Sequence, residues 1–188
     1  YLNYMDSGHL HIIIGPMFSG KTSHLIDTYK STHINQEKAI VINHCSDNRY
    51  STKEEVISHD GTSIPCQKIE SLRELYSQFH NKELNYKDYR FLFINEAQFF
   101  DDLHLVIIFL EKYKFNIYLY GLDGDFQKKP FKNNILDYIP YSDNVIKLNA
   151  KCSCGQNAPF TMRLNDDKEQ ISVGVDNYKA VCRTCYNS

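Results

Sequence analysis

The sequence predicts an α/β fold: a mostly parallel sheet with helices on both faces, followed by a small cysteine-bearing module. Three observations carry this reading. Short all-apolar runs alternate with helix-like segments, the pattern of strands buried on both faces. Residues Gly15-Pro16-Met17-Phe18-Ser19-Gly20-Lys21-Thr22 spell a complete G-x-x-x-x-G-K-[ST] phosphate-binding loop of the P-loop NTPase type. Beyond residue 150 come two close cysteine pairs, Cys152-x-Cys154 and Cys182-x-x-Cys185.

The elements follow in order. Leu10-His11-Ile12-Ile13-Ile14 reads as a buried strand, and the phosphate loop leads from it into a helix running from Lys21 to about Thr32. A strand that ends in a Gly-rich turn and opens a helix aims consecutive backbone N–H groups and the positive end of the helix dipole at one point. Lys21 then reaches the β- and γ-phosphates, and the Thr22 hydroxyl is placed for Mg²⁺. Ala39–His44 is a second strand. Residues 45–62 are polar and turn-rich, a long loop of the kind that is usually either a functional lid or disordered. A helix around Ile69–Phe79, a buried strand at Phe91–Ile94, a helix at Leu103–Tyr113 and a strand at Asn116–Leu122 complete the alternation. In such a sheet the strand carboxyl ends share one edge, where ligands bind. The phosphate loop and the segments 45–62, 95–100 and 123–131 therefore converge. Pro140 and the polar stretch to Asn144 mark a boundary, dividing the chain into 1–149, which binds the nucleotide, and 150–188, a short strand-poor module.

Composition narrows the function classes. The chain has 188 residues, 42% of them hydrophobic, enough for one full core and a small appendage. Its net charge of −2 divides into −3 over residues 1–149 (16 basic, 19 acidic) and +1 over 150–188 (5 basic, 4 acidic). Neither part carries the positive excess on which nucleic-acid binding by counterion release depends. No apolar run approaches the ~20 residues that span a bilayer, and the N-terminal residues lack the pattern of a signal peptide. The expected compartment is the cytoplasm, where six cysteines point to metal or free thiols before disulfides.

Two further segments supply chemistry. Glu96, just past the third strand, is placed to accept a proton from an attacking hydroxyl and is the candidate general base. Asp123-Gly124-Asp125-Phe126-Gln127-Lys128-Lys129-Pro130-Phe131 follows the next strand; its aromatics either wall a pocket for a planar ligand or plug the core beneath a loop. Cys152, Cys154, Cys182 and Cys185 have the spacing of a zinc ribbon, with four thiolates in a closed tetrahedral site. No histidine stands in for a thiolate, because all eight lie before residue 105. A module this small lacks an adequate core, so the metal would supply much of its folding energy.

From about His9 to Tyr186 the chain resembles the type II thymidine kinases, the group that includes the human cytosolic enzyme. The resemblance rests on Gly15–Thr22, on Asp47-Asn48-Arg49-Tyr50-Ser51 with Ser58-His59-Asp60, on Glu96-Ala97-Gln98-Phe99-Phe100, on Leu122–Phe131, and on Val173-Gly174-Val175-Asp176-Asn177-Tyr178 before Cys182. It implies transfer of the ATP γ-phosphoryl group, with Mg²⁺, to the 5′-hydroxyl of thymidine or deoxyuridine. It also implies that Glu96 is the base, that Arg49, Asn95 and Gln98 serve the phosphate end, and that Met17, Phe99, Leu122, Phe126 and Phe131 line the base pocket. Thr161 would sit beneath the 5-methyl group, with Arg163 near the nucleoside. Val173, Gly174, Val175, Asp176 and Tyr178 would form a lasso loop closing over it. A structural zinc, a homotetramer and feedback inhibition by thymidine triphosphate are implied likewise.

Three departures stand out. The family normally has Asp before the glutamate, where this chain has Asn95; an amide oxygen accepts without charge, which predicts weaker metal affinity. Cys152-x-Cys154 is one residue shorter than the usual knuckle. Val173-Gly174 replaces a common Gly-Gly. Two rival readings remain at this level: a nucleotide hydrolase or switch, although no guanine-reading Asn-Lys-x-Asp segment is present, and a zinc-ribbon nucleic-acid binder.

Overall fold

The computed structural model describes residues 7–34, 38–47, 54–165, 169–170 and 175–188. Its elements are β1 (His9–Ile14), α1 (Lys21–Ile34), β2 (Ala39–His44), β3 (Glu55–Ile57), β4 (Ser63–Pro65), β5 (Gln67–Ile69), α2 (Leu72–His80), β6 (Phe91–Ile94), α3 (Leu105–Glu111), β7 (Asn116–Gly121), β8 (Asn144–Lys147), β9 (Ala150–Lys151), β10 (Asn157–Ala158), β11 (Phe160–Arg163), β12 (Tyr178–Val181) and α4 (Arg183–Asn187). Six of the strands form one sheet in the order β5-β2-β6-β7-β1-β8. Every neighbouring pair in it is parallel. The expected α/β architecture is present.

Strand periodicity sorts the core into two layers. Leu10, Ile12, Ile40, Ile42, Leu92, Ile94, Ile117 and Leu119 face one way and pack with Leu72, Leu75 and Phe79 of α2 and Val106 and Phe109 of α3. Ile13, Val41, Phe93 and Tyr120 face the other way and pack with Leu25 and Ile26 of α1. With no side left to solvent, these strands read as unbroken apolar runs. Each fully buried Ile or Phe contributes about 1.5–3 kcal/mol.

Several details differ from the sequence expectation. The second half of the 45–62 loop is structured: β3 and β4 pair as an antiparallel hairpin whose Val56 and Ile64 join the α1-side core. The edge strands β5 and β8 lie outside the sequence expectation, because strands of three and four residues with few buried positions carry little periodicity. Helix α2 starts three residues later than predicted. Ser71 caps it in a capping box with Glu74, and the buried Asp102 carboxylate accepts from Ser71 Oγ (2.6 Å), Leu72 N (3.1 Å) and Arg73 N (2.9 Å).

The C-terminal residues carry a core of their own, made of Ala150, Cys152, Ala158, Val181 and Cys182, under the two-stranded pairs β9–β10 and β11–β12. No helix among the described residues is long and apolar enough to cross a membrane.

Candidate active site

Because the six strands are parallel, the turns after β1, β2, β6 and β7 all leave the same edge, and the phosphate loop is one of them. Gly15 admits no side chain: a Cβ there would lie 2.5 Å from Leu148 O and 2.8 Å from Ser19 Oγ. Gly20 has φ +81°, which only glycine adopts without strain, and from it the chain turns into α1. Lys21 Nζ donates to Gly15 O (3.1 Å) and Pro16 O (2.7 Å), so the ammonium sits in the mouth of the loop. Thr22 is half-buried beside it, while Phe18 projects at the tip of the loop with φ +64°.

Glu96 follows β6 in the left-handed region (φ 52°, ψ 43°), an unfavourable conformation for a residue with a Cβ and one that concentrates at functional sites. The residue is only 7% exposed, and its carboxylate accepts from Gln98 Nε2 at 2.6 Å. Gln98 is held in turn at its other end, where Oε1 accepts from Leu122 N at 3.1 Å. An amide has one accepting and one donating end, so the backbone N–H after β7 obliges Gln98 to direct its NH₂ at Glu96. This clamp escapes sequence reading, since nothing in Glu-Ala-Gln shows that the third residue turns back on the first. His44 packs against Phe99 and Phe100 (centroids 5.8 and 4.8 Å). Its burial lowers the imidazole pKa, so the ring is neutral at pH 7 and adds no charge beside Glu96.

Asn95 is buried, and its Nδ2 donates to Asn43 Oδ1 at 3.1 Å. Among the described residues no donor reaches its Oδ1. The Asn95 amide oxygen and the Thr22 hydroxyl are both oxygen donors of the kind that a hydrated hard cation such as Mg²⁺ takes.

The segment after β7 is organised by Asp125, whose buried Oδ1 accepts from Gln127 N and Lys129 N, both at 2.8 Å. Gln170 Nε2 reaches Asp125 Oδ2 (2.9 Å) and Pro130 O (3.1 Å). Phe131 is buried, and Phe126 lies under the Arg163 guanidinium, 4.0 Å from its ring centroid. Arg163 also donates to Tyr178 Oη and Glu169 O. Thr161 Oγ1 accepts from Met17 N at 3.0 Å, joining β11 directly to the phosphate loop. Tyr186 Oη donates to Phe126 O at 2.7 Å. Gln170 and Tyr186 escape sequence reading because their partners lie 40 or more residues away, whereas Asp125 binds the N–H groups of Gln127 and Lys129 within its own turn and has one distant partner, Gln170.

Of the expected lasso loop, Val173 and Gly174 lie outside the described residues, as does Arg49. Val175 opens a single 3-10 turn through Asn177 that includes the exposed Asp176, and Leu164 N donates to Asn177 O at 2.8 Å.

Cys152, Cys154, Cys182 and Cys185 gather with all four Sγ atoms within 4.8 Å of one another. The Cys154–Cys182 Sγ separation is 3.6 Å, close to the ~3.8 Å edge of a tetrahedron with Zn–S bonds of ~2.3 Å. The short first knuckle is accommodated by a tight turn in which Gly155 N donates to Cys152 O and Gly155 takes φ +86°. Backbone N–H groups of Cys154 and Cys182 hold the Cys152 thiol down at about 6, and the Cys185 N–H lowers Cys182. The adjoining thiols push Cys185 up to about 12. The donor set fits zinc: four clustered sulfurs, one pair of them at the spacing of a tetrahedral edge, and two thiols disposed to ionise.

A phosphate loop facing a clamped carboxylate across the edge of a parallel sheet defines a P-loop nucleotide phosphotransferase with a four-cysteine module. A family model described as thymidine kinase matches residues 8–186. The chain is 38% identical to the thymidine kinase of Variola virus over 187 residues, covering 97% of this chain and 98% of that protein. It is 38% identical to that of Rabbit fibroma virus (strain Kasza) over 184 residues, with 97% and 98% covered. For that of Vaccinia virus (strain Western Reserve) the figure is 37% over 187 residues, with the same coverage. The chain belongs to the thymidine kinase family.

Proposed function

We propose that this protein transfers the γ-phosphoryl group of ATP to the 5′-hydroxyl of thymidine, with deoxyuridine as a second acceptor. Family membership supports the substrates, and the observation that carries the mechanism is Glu96, a buried, clamped carboxylate on the same edge as the phosphate loop. Glu96 accepts the 5′-hydroxyl proton as that oxygen bonds to the γ-phosphorus and the bond to the β-bridging oxygen breaks, leaving ADP and thymidine monophosphate. Lys21 and the loop amides neutralise charge on the transferred group, and Gln98 anchors the Glu96 carboxylate through one of its oxygens. Asn95 and Thr22 would hold Mg²⁺, which when bound neutralises phosphate charge. Met17, Phe99, Leu122, Phe126, Phe131, Thr161, Arg163, Tyr178 and the 173–176 segment are assigned to the nucleoside side, and Arg49 to the phosphates. The aromatic and guanidinium layers at Phe126, Arg163 and Tyr178 support that assignment, because such layers suit a planar base.

Zinc at the four cysteines, a cytoplasmic location, a homotetramer and inhibition by thymidine triphosphate complete the proposal; the last two rest on family likeness. ADP release measured with and without thymidine tests the reading. Release that depends on thymidine supports it, and equal release in both conditions would establish a simple ATPase instead.

A further inference from the structure

We propose that Asp47 is a positioning residue for the metal-and-phosphate end of the site: acting through Asn43, it determines which end of the Asn95 side-chain amide faces the bound nucleotide. The inference builds on the phosphotransferase reading above.

Three side chains form a chain of hydrogen bonds along the carboxyl edge of the sheet. Asn95 Nδ2 donates to Asn43 Oδ1 at 3.1 Å, and Asn43 Nδ2 donates to Asp47 Oδ2 at 3.0 Å. Two amides alone would be degenerate. Reversing both keeps the bond between them, and Asn95 would then present NH₂ where it now presents oxygen. An ionised carboxylate removes the degeneracy because it only accepts. Asn43 must turn its NH₂ to Asp47, which leaves its oxygen for Asn95. Asn95 must then turn its own NH₂ to Asn43, and Oδ1 remains directed away from the relay. Among the described residues nothing donates to that oxygen.

The consequence is chemical. Waters around a divalent cation are donors, and the cation itself binds oxygen, so an amide serves such a site only with its oxygen forward. An Asp at this position would offer oxygen from either end. An Asn does so only if something else dictates its orientation, and here the charge lies two residues away, on the loop after β2. That loop is itself held: Asp47 N donates to His44 O (3.0 Å), and Lys68 Nζ donates to Asp47 O (3.3 Å).

The test uses the full chain with a non-hydrolysable ATP analogue and Mn²⁺ as the metal probe, read by electron paramagnetic resonance. Asp47→Asn, which is isosteric, and Asp47→Ser should each weaken Mn²⁺ binding about 10–100-fold, as loss of an outer-shell partner does. Analogue affinity in chelator and the KM for thymidine should hold within about twofold. The decisive comparison adds Asn95→Asp. Alone, it makes Asn43 choose between two carboxylates. Combined with Asp47→Asn, it frees Asn43 to donate to position 95, so the double variant should bind Mn²⁺ more tightly than either single variant.

Unchanged Mn²⁺ binding in both Asp47 variants overturns the proposal. So does a uniform loss of all ligands with a lowered Tm, or a double variant no better than Asn95→Asp alone. ADP release that is independent of thymidine, alongside the expected Mn²⁺ results, would instead remove the thymidine reading and leave the relay standing.

Discussion

Glu96 combines three properties rarely found together in a surface glutamate: burial, a left-handed backbone and a fixed amide partner. Glu96→Gln should preserve ATP and thymidine binding by calorimetry while lowering kcat by ~10²–10⁴, the usual loss for a general base. Near-normal turnover in that variant would transfer the role to another group. Gln98→Leu removes the clamp and leaves the Leu122 N–H without its acceptor. Here kcat should fall more than the KM for either substrate rises, because the carboxylate stays in place but is no longer oriented. Substrate titrations that show only a KM effect would make Gln98 a binding residue. The glutamate was legible from its place after a strand. The clamp was not, since it requires Leu122, a residue brought beside Gln98 only by the pairing of β6 with β7.

Helix α2 is secured by one carboxylate from the loop that follows Glu96. Asp102→Ala would leave the Leu72 N–H and the Ser71 hydroxyl without the acceptor they now have, and the Arg73 N–H with Ser71 Oγ alone. Stability to urea should fall by about 1–3 kcal/mol, with kcat changed less than in the Glu96 and Gln98 variants. A stability loss within the error of the fit would show that water replaces the carboxylate without cost. In the cysteine module the pKa of Cys152 is depressed in the folded state, from an ordinary value near 9 to about 6. The thiolate therefore favours the folded cluster above about 9, and that contribution is lost as pH falls through about 6. Bound metal lowers the thiol pKa further. Zinc release to a chromogenic chelator should consequently rise with a midpoint at or below pH 6. A midpoint near the ordinary thiol value would show that these thiolates are not preformed.

At the scale of the whole molecule, the four-cysteine module and the sheet are joined by a few directed bonds, chiefly Met17 N to Thr161 Oγ1 and Tyr186 Oη to Phe126 O. Stripping the metal should therefore lower Tm and weaken thymidine binding before it weakens ATP binding, because the phosphate loop is built on β1 and α1, whose packing needs no metal. Thr161→Val, which keeps the shape but removes the acceptor from Met17 N, should mimic part of that effect, raising the KM for thymidine at unchanged zinc content. Equal loss of both substrates on metal removal, followed by calorimetry, would mean that the phosphate loop depends on the module as well.

The chain alone determined its fold class, its phosphate loop, and the positions of the candidate base and of the four cysteines that could hold a metal. These are encoded locally: runs of Ile and Leu for strands buried on two faces, glycines at Gly15 and Gly20 for a turn no other residue fits, and cysteines at chelating spacing. The resemblance added the identity of the acceptor. Only the tertiary structure decided the short edge strands β5 and β8, the hairpin β3–β4, and the amides and carboxylates that orient the chemistry: Gln98 on Glu96, Asp125 beneath its loop, Asp47 and Asn43 behind Asn95. The bonds that fix these groups from a distance, Leu122 N to Gln98 and Asn95 to Asn43, leave no period or spacing to read, because their geometry exists only once the sheet has brought the strands together.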